Sequence, residues 1–237
     1  MGVELHFVPS ARQAIAVLEY EPRRSREVTI VAAHGYSSSK HNLDFLGAFL
    51  AAQGFRVYSL DFPGHKLGAS GGRLDAFADC TSAMTAVVAF ARSRSPGPLY
   101  VMGHSLGAMT ALRVAVSDAS LAGAISIATG SGRLGALTAM GRVANVDFRS
   151  SYVAGLTLRE IVEQAERDDE LAGLAGRPAL FVAAEQDAMV TRKSALDLFD
   201  RAPEPKTMRW IASDHTDAAQ NAKADVLAWL NELHPRG

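Results

Sequence analysis

The amino-acid sequence predicts an α/β protein in which a mostly parallel sheet is covered by helices on both faces. Short runs of apolar and β-branched residues alternate with longer stretches of helical periodicity along most of the chain. The runs are almost continuously apolar, which is typical of strands buried on both faces of a parallel sheet. A length of 237 residues suits one such domain with at most a small insertion.

The individual elements follow from the period of the hydrophobic pattern. Two early runs, at 3–8 and 14–19, alternate apolar and polar residues and predict an antiparallel hairpin at the edge of the sheet. Buried strands are predicted at 28–33, 57–60, 99–102, 124–128, 179–183 and 207–211. Helices are predicted between and after them, at 43–53, 75–94, 106–116, 193–201 and 218–233.

Residues 131–176 interrupt this alternation. They contain no good strand, and their clearer helical pattern covers 157–167. An insertion at the carboxyl end of a parallel strand lies over the crevice where α/β proteins bind ligands. We therefore predict a small cap at 131–176 on a core domain formed by 1–130 and 177–237. The alternative is an ordinary pair of surface helices.

Composition and charge exclude several function classes. The formal net charge is −1 and no long basic run occurs, so a nucleic-acid-binding face is not expected. The short cluster Arg23, Arg24 and Arg26 is interpreted as a solvated turn. The sequence contains no stretch of about 18 apolar residues, so no membrane span is predicted. Cys80, the single cysteine, excludes an internal disulfide and is expected in the core. Without a secretory signal pattern at the N-terminus, a cytoplasmic location is predicted.

The strongest chemical signal is Gly103-His104-Ser105-Leu106-Gly107. It directly follows a predicted strand and opens a predicted helix. A serine on such a tight strand-to-helix turn is lifted above the sheet, and the small flanking residues let the backbone crowd there. The N-terminus of the helix adds positive potential where an oxyanion would develop. Ser105 is therefore the candidate nucleophile.

A second signal, His34-Gly35-Tyr36, follows the predicted strand 28–33. Acyl transfer needs two backbone N–H groups aimed at the developing oxyanion, one from the residue after the nucleophile and one from this loop. Leu106 and Tyr36 are the candidate donors, and Gly35 permits a close backbone approach. An ordinary strand-ending turn is the alternative, and His34 is expected to be structural.

A nucleophilic serine needs a base and an acid that orients it. Only His215 and His234 follow the last predicted strand, and His234 is interpreted as solvated tail beside Pro235. His215, in the loop before the last helix, is the candidate base, since the order serine, acid, histidine is expected. The candidate acids are Glu185, Asp187, Asp214 and Asp217. Asp187 is favoured because it lies centrally in the loop after strand 179–183.

With these residues in place, the sequence resembles the α/β-hydrolase family, in particular its small esterase, lipase and thioesterase-like members. The resemblance covers 28–233 apart from the cap. It rests on four features in family order: His34-Gly35, Asp61-Phe62-Pro63-Gly64-His65, the Ser105 motif, and Asp187 with His215. It implies an eight-stranded, mostly parallel sheet, a catalytic triad of Ser105, Asp187 and His215, an oxyanion hole at Tyr36 and Leu106, and no metal or organic cofactor.

Two departures from the family pattern bear on the substrate. Residues 66–70 form a longer turn than the family usually has, and the cap is short. We expect a carboxylesterase-like serine hydrolase acting on a small-molecule ester. A thioester, lactone, amide or carbon–carbon bond beside a ketone is the alternative substrate, and a non-catalytic binding module is the alternative from another class. Arg133, Arg142 and Arg149 are candidates to meet an acidic substrate group, but solvation is favoured. The sequence does not predict the oligomeric state.

Overall fold

Eight strands form one sheet in the computed structural model of the protein, which describes residues 1–135, 146–167 and 170–236. Their order across the sheet is β1-β2-β4-β3-β5-β6-β7-β8. β2 pairs antiparallel with both β1 and β4, and the other five pairings are parallel. The strands are β1 Gly2–Pro9, β2 Ala14–Glu21, β3 Thr29–Ala33, β4 Arg56–Leu60, β5 Leu99–His104, β6 Gly123–Ile127, β7 Ala179–Ala184 and β8 Lys206–Ile211. The predicted fold class is confirmed, edge hairpin included.

Helices follow the strands along the chain. Within the described ranges they are α1 Asp44–Ala52, α2 Phe77–Arg94, α3 Leu106–Ser117, α4 Val146–Ser150, α5 Leu158–Arg167, α6 Arg192–Arg201, α7 Ala218–Asn221 and α8 Lys223–Leu233, with 3-10 turns at Lys40–Leu43 and Ala172–Leu174. The helix predicted at 218–233 is two helices, because the chain turns at Ala222. None of the described helices is both long and apolar enough to cross a membrane.

The core lies on both faces of the sheet. Val31 and Ala33 of β3 pack into a cluster with apolar residues of α2, α3 and α5, whereas Ile30 and Ala32 pack into a second cluster with α1 and α8. All five residues of β3 are buried. Covering both faces explains why the central strands are continuously apolar in the sequence.

The segment between β6 and β7 contains α4, α5 and the turn Ala172–Leu174. Backbone bridges pair Val153 with His65 and Gly155 with Leu74, so the segment lies against the long turn that follows β4. The apolar face of α5 is buried in the same cluster as α2 and α3. Residues 136–145 and 168–169 of the predicted cap lie outside the described residues.

Candidate active site

Ser105 sits on a sharp turn between β5 and α3, at φ 55° and ψ −109°. A non-glycine residue in the left-handed region costs about 1–3 kcal/mol, so the surrounding structure must hold it there. Its backbone N–H donates to the carbonyl of Ile127 at 2.9 Å. A Cβ added to Gly103 would lie 2.0 Å from the backbone carbon of Gly107, so only glycine fits beneath the serine. The turn therefore aims the hydroxyl out of the carboxyl edge of the sheet.

The hydroxyl of Ser105, the imidazole of His215 and the carboxylate of Asp187 form a hydrogen-bonded row. Ser105 Oγ lies 3.0 Å from His215 Nε2, and His215 Nδ1 lies 2.8 Å from Asp187 Oδ2. An ionised carboxylate can only accept, so Nδ1 carries the imidazole proton and donates it to Asp187. Nε2 is then the acceptor for the Ser105 hydroxyl. This is the arrangement in which an imidazole can take a proton from a serine.

The loop after β7 holds Asp187 as an anion. Oδ1 accepts hydrogen bonds from the backbone N–H groups of Met189 at 2.7 Å and Val190 at 2.8 Å. Burial of the side chain, which is 1% exposed, raises the pKa of Asp187, but the hydrogen bond and charge of His215 and the two amides outweigh it. The pKa of Asp187 is therefore lowered on balance, and the carboxylate stays charged at neutral pH.

The competing candidates lie elsewhere. Asp214 is exposed and accepts the backbone N–H of Asp217 at 2.9 Å, and Glu185 is exposed. His234 packs on Tyr100 at the end of α8, with its Nε2 2.9 Å from the phenol oxygen. The structure thus brings Asp187 and His215 to Ser105 and leaves the other candidates away from it.

The loop after β3 approaches the serine from the other side. A Cβ on Gly35 would lie 3.4 Å from the Ser105 Cβ and 3.0 Å from His104 Nδ1, so its lack of a side chain permits this approach. His34 Nδ1 donates to the Gly35 carbonyl at 2.7 Å, and Nε2 accepts the Phe62 N–H at 3.1 Å. Burial lowers the pKa of His34 to about 3, so the ring is neutral and can accept that bond.

One of the two candidate oxyanion donors lines the cavity that contains Ser105, and the other directly follows the serine in the chain. Tyr36 lines the cavity above Ser105, and its phenol donates to the Leu156 carbonyl at 2.8 Å, which ties the loop after β3 to the segment between β6 and β7. Leu106 is the first residue of α3, so its N–H belongs to the first turn, where N–H groups lack an intrahelical acceptor.

His104 is a positioning residue that sequence reasoning missed. Its Nε2 donates to the backbone carbonyl of His215 at 2.7 Å, which fixes the loop that carries the imidazole. Burial, together with the neighbouring His215, lowers the pKa of His104 to about 3. Its place beside Ser105 in the motif was the available signal, but the acceptor lies 111 residues away in the chain.

Arg133 is one of the three arginines that the sequence offered as candidates, and the favoured expectation that it is solvated is wrong. The residue is 1% exposed, and its Nη2 donates to Ser105 Oγ at 3.2 Å. Nη1 donates to Thr129 Oγ1 at 3.2 Å and lies 3.0 Å from Met109 Sδ. Burial lowers the pKa of the guanidinium, and the negative charges of Glu166 and Asp187 partly offset this.

The other two arginine candidates differ from Arg133. Arg142 lies outside the described residues. Arg149 is exposed and lines the cavity above Ser105, which has a volume of about 110 Å³. A larger groove of about 910 Å³ runs beside Phe77, but none of the candidate site residues lines it. The small cavity is the candidate site, since both Ser105 and His215 line it.

The structure offers one group of possible metal ligands among the described residues: Glu4, His6 and Glu19, on β1 and β2. Protein partners already occupy Glu19, which accepts from His6 Nε2 at 2.7 Å and also from Arg56. These three side chains are accounted for by their ion pairs.

The sheet order, with a serine on the turn after a central strand, defines a protein of the α/β-hydrolase fold. Residues 30–234 match the sequence profile described as the α/β hydrolase family. The chain therefore belongs to the α/β hydrolase family. No curated protein sequence matches it.

Solved structures support the same fold. The chain is similar to the esterase domain of a Rhodothermus marinus protein, with a TM-score of 0.72 and 20% identity over 98% of this chain and 99% of that one. It is similar to an α/β serine hydrolase homologue from Coxiella burnetii, with a TM-score of 0.71 and 16% identity over 98% of each chain. An α/β serine hydrolase without lid from Xanthomonas campestris gives a TM-score of 0.71 and 16% identity over 100% of this chain and 97% of that one.

Proposed function

We propose that this α/β hydrolase is a serine hydrolase that cleaves carboxylic esters through an acyl-enzyme intermediate. The observation that carries the proposal is the row from Ser105 Oγ through His215 to Asp187, with contacts of 3.0 and 2.8 Å. The strained backbone of Ser105 supports it as well, because left-handed non-glycine residues cluster at functional sites.

The proposed first half-reaction forms the acyl-enzyme. His215 Nε2 accepts the Ser105 proton while Oγ attacks the ester carbonyl, and Asp187 stabilises the imidazolium. The N–H groups of Tyr36 and Leu106 donate to the tetrahedral oxyanion. The imidazolium then protonates the departing alcohol, and the acyl group stays on Oγ.

In the second half-reaction His215 takes a proton from water, and the hydroxide attacks the acyl carbon. Collapse of this second tetrahedral intermediate releases the carboxylic acid and returns the proton to Oγ. Every step uses side chains and backbone groups of this chain, and the net reaction is ester plus water giving acid plus alcohol.

The test combines a covalent probe with one substitution. A fluorophosphonate is expected to label wild-type protein at Ser105, and short p-nitrophenyl esters are expected to be hydrolysed. Ser105→Ala is expected to abolish labelling and to lower kcat by at least about 10³-fold. Ser93→Ala, an exposed serine on α2, is the matched control. Wild-type turnover by Ser105→Ala would refute the nucleophile, and absence of labelling in folded wild type would favour a non-catalytic binding module.

Thioesters, lactones, amides and ketones with a cleavable carbon–carbon bond share the first attack with esters. A panel of oxygen esters and thioesters with matched acyl groups separates these classes, because only the leaving group changes. Carboxylic esters are proposed first.

We also propose that 131–176 forms a small cap on the core of 1–130 and 177–237. Two observations support it: Arg149 and Leu158 line the cavity above Ser105, and the bridges to His65 and Leu74 hold the segment over that edge. A cytoplasmic location remains a prediction from the sequence.

A further inference from the structure

The buried guanidinium of Arg133, next to Ser105, has no counter-ion among the described residues. In the part of the chain that the structure describes, no carboxylate oxygen lies within 4.0 Å of the Arg133 guanidinium. Glu166 accepts the backbone N–H of Arg133 at 2.5 Å, but it does not contact the guanidinium, and Asp187 is bound to His215. Arginine stays protonated in proteins, so a full positive charge is buried beside Ser105.

The hydrogen bonds of Arg133 are also incomplete. A guanidinium has five N–H donors, and the three contacts of Arg133 are to Ser105, Thr129 and the weakly accepting sulfur of Met109. Its Nε is buried without any partner. Nε and Nη2 lie on one edge of the planar group, with the spacing that fits the two oxygens of a carboxylate.

A buried charge without a partner is costly, because desolvation is not repaid by an ion pair or by full hydrogen bonding. An arginine that merely fills the core would be expected to sit against a carboxylate. An anionic ligand that reaches Arg133 would supply the missing charge and the missing acceptors together. The cavity above Ser105 is lined by Arg149 and by no acidic residue among those described. Arg133 lies behind Ser105 and does not line this cavity, so such a ligand reaches the guanidinium past the Ser105 hydroxyl.

We propose that Arg133 is a specificity-determining residue that binds a carboxylate on the acyl part of the substrate, so that the preferred esters are half-esters of short dicarboxylic acids. The inference rests on the proposed function. Nη2 is 3.2 Å from Ser105 Oγ, the atom to which the acyl carbon bonds. A carboxylate on this guanidinium therefore lies within a few ångströms of the acyl carbon, given hydrogen bonds of about 2.8 Å. A separation of that order corresponds to a short dicarboxylic chain such as succinate or glutarate.

Arg133 also donates to the nucleophile itself, so its removal will alter the cleavage of any ester. The diagnostic quantity is therefore a ratio. Monomethyl succinate and methyl succinamate have nearly the same shape, and they differ in a carboxylate against a neutral amide. The ratio of their kcat/KM values, measured by acid release at constant pH 7.5, isolates recognition of the charge.

We expect wild-type protein to prefer monomethyl succinate by about 100-fold, as for a buried charge pair. Arg133→Gln is expected to bring the ratio close to one, and Arg133→Lys, which keeps the charge without the planar fork, to give an intermediate ratio. Arg23→Gln, an exposed arginine far along the chain, is the matched control and should keep the wild-type ratio. A structural role for Arg133 would lower both rates together and leave the ratio unchanged.

A binding measurement separates this inference from the proposed function. In Ser105→Ala protein, monomethyl succinate is expected to raise Tm, methyl succinamate is not, and adding Arg133→Gln should remove the effect. If wild type cleaves both esters equally, or prefers the amide, the inference is wrong while the hydrolase proposal stands. If neither ester is cleaved but the charged one alone raises Tm, the anion site stands and the hydrolase proposal fails. Should Arg133→Gln not fold, the wild-type ratio decides.

Discussion

Replacing Asp187 by asparagine should disable His215 by imposing the wrong tautomer. The carboxylate accepts three hydrogen bonds: Oδ1 takes the N–H groups of Met189 and Val190, and Oδ2 takes His215 Nδ1–H. Asparagine has one acceptor oxygen and one NH₂ group. Because two backbone donors face the Oδ1 position, the amide oxygen must sit there, and the NH₂ must point at Nδ1. His215 then carries its proton on Nε2 and cannot accept one from Ser105.

The structure sets the size of the effect. Restoring the active tautomer requires the amide to flip, which leaves two buried N–H groups facing an NH₂ donor. Each buried donor without a partner costs about 1–3 kcal/mol, so the flip costs about 2–6 kcal/mol. At about 1.4 kcal/mol per tenfold in rate, the upper part of this range is a 10³- to 10⁴-fold loss. A wrong-tautomer substitution in a serine triad loses about 10⁴-fold. We expect kcat/KM to fall by about 10³- to 10⁴-fold.

The assay is kcat/KM for a short p-nitrophenyl ester at pH 7.5, with thermal unfolding followed by circular dichroism to confirm that each variant is folded. Asp214→Asn is the matched control, since Asp214 is adjacent to His215 in sequence but exposed and turned to Asp217. It should retain activity within about twofold of wild type. A folded Asp187→Asn protein within tenfold of wild type would refute the tautomer reasoning. A large loss in Asp214→Asn instead would move the role to that residue.

Two stability predictions follow from buried ionisable side chains. Burial lowers the pKa of three histidines from 6.5 to about 3 or 4: His34, His65 and His104. The unfolded state therefore binds more protons than the folded state below pH 6.5, and the stability that is present above that pH is lost as the pH falls toward 4. The free energy of unfolding, measured with urea, should be lower at pH 5 than at pH 7 by up to about 6 kcal/mol, and His65→Asn should reduce this difference by about 2 kcal/mol. Equal stability at both pH values would contradict the prediction. Asp61→Asn should lower the free energy of unfolding by about 3–5 kcal/mol, since it leaves the buried Lys40 ammonium, 2.6 Å from Asp61 Oδ2, without its counter-ion. The exposed Asp75→Asn should change it by less than about 1 kcal/mol, and a similar small change for Asp61→Asn would show that the buried pair is not needed.

Several structural features follow from local sequence patterns. The continuously apolar strands, the polar alternation of the first hairpin and the Ser105 turn depend on residues within a few positions of one another. At Gly103 the constraint is nearly local as well, because the atom that excludes a side chain belongs to Gly107, four residues on. The break at Ala222 was missed because residues 218–233 carry a helical pattern throughout, and the turn depends on how α7 and α8 pack against the sheet.

The sequence by itself determined the fold class, the strand-to-helix turn that presents Ser105, and the short set of acids and histidines from which a triad can be drawn. Only the tertiary structure decided which of them meet. Asp187 rather than Asp214 reaches His215, because the Met189 and Val190 amides orient its carboxylate. Arg133 was misjudged for the same reason. Its sequence neighbours are those of a surface loop, but packing against residues 24 to 28 positions away, at Met109 and Ser105, buries its charge. The local sequence pattern indicates which secondary structure the backbone prefers. The burial of a side chain, in contrast, depends on contacts that form only when distant segments pack together.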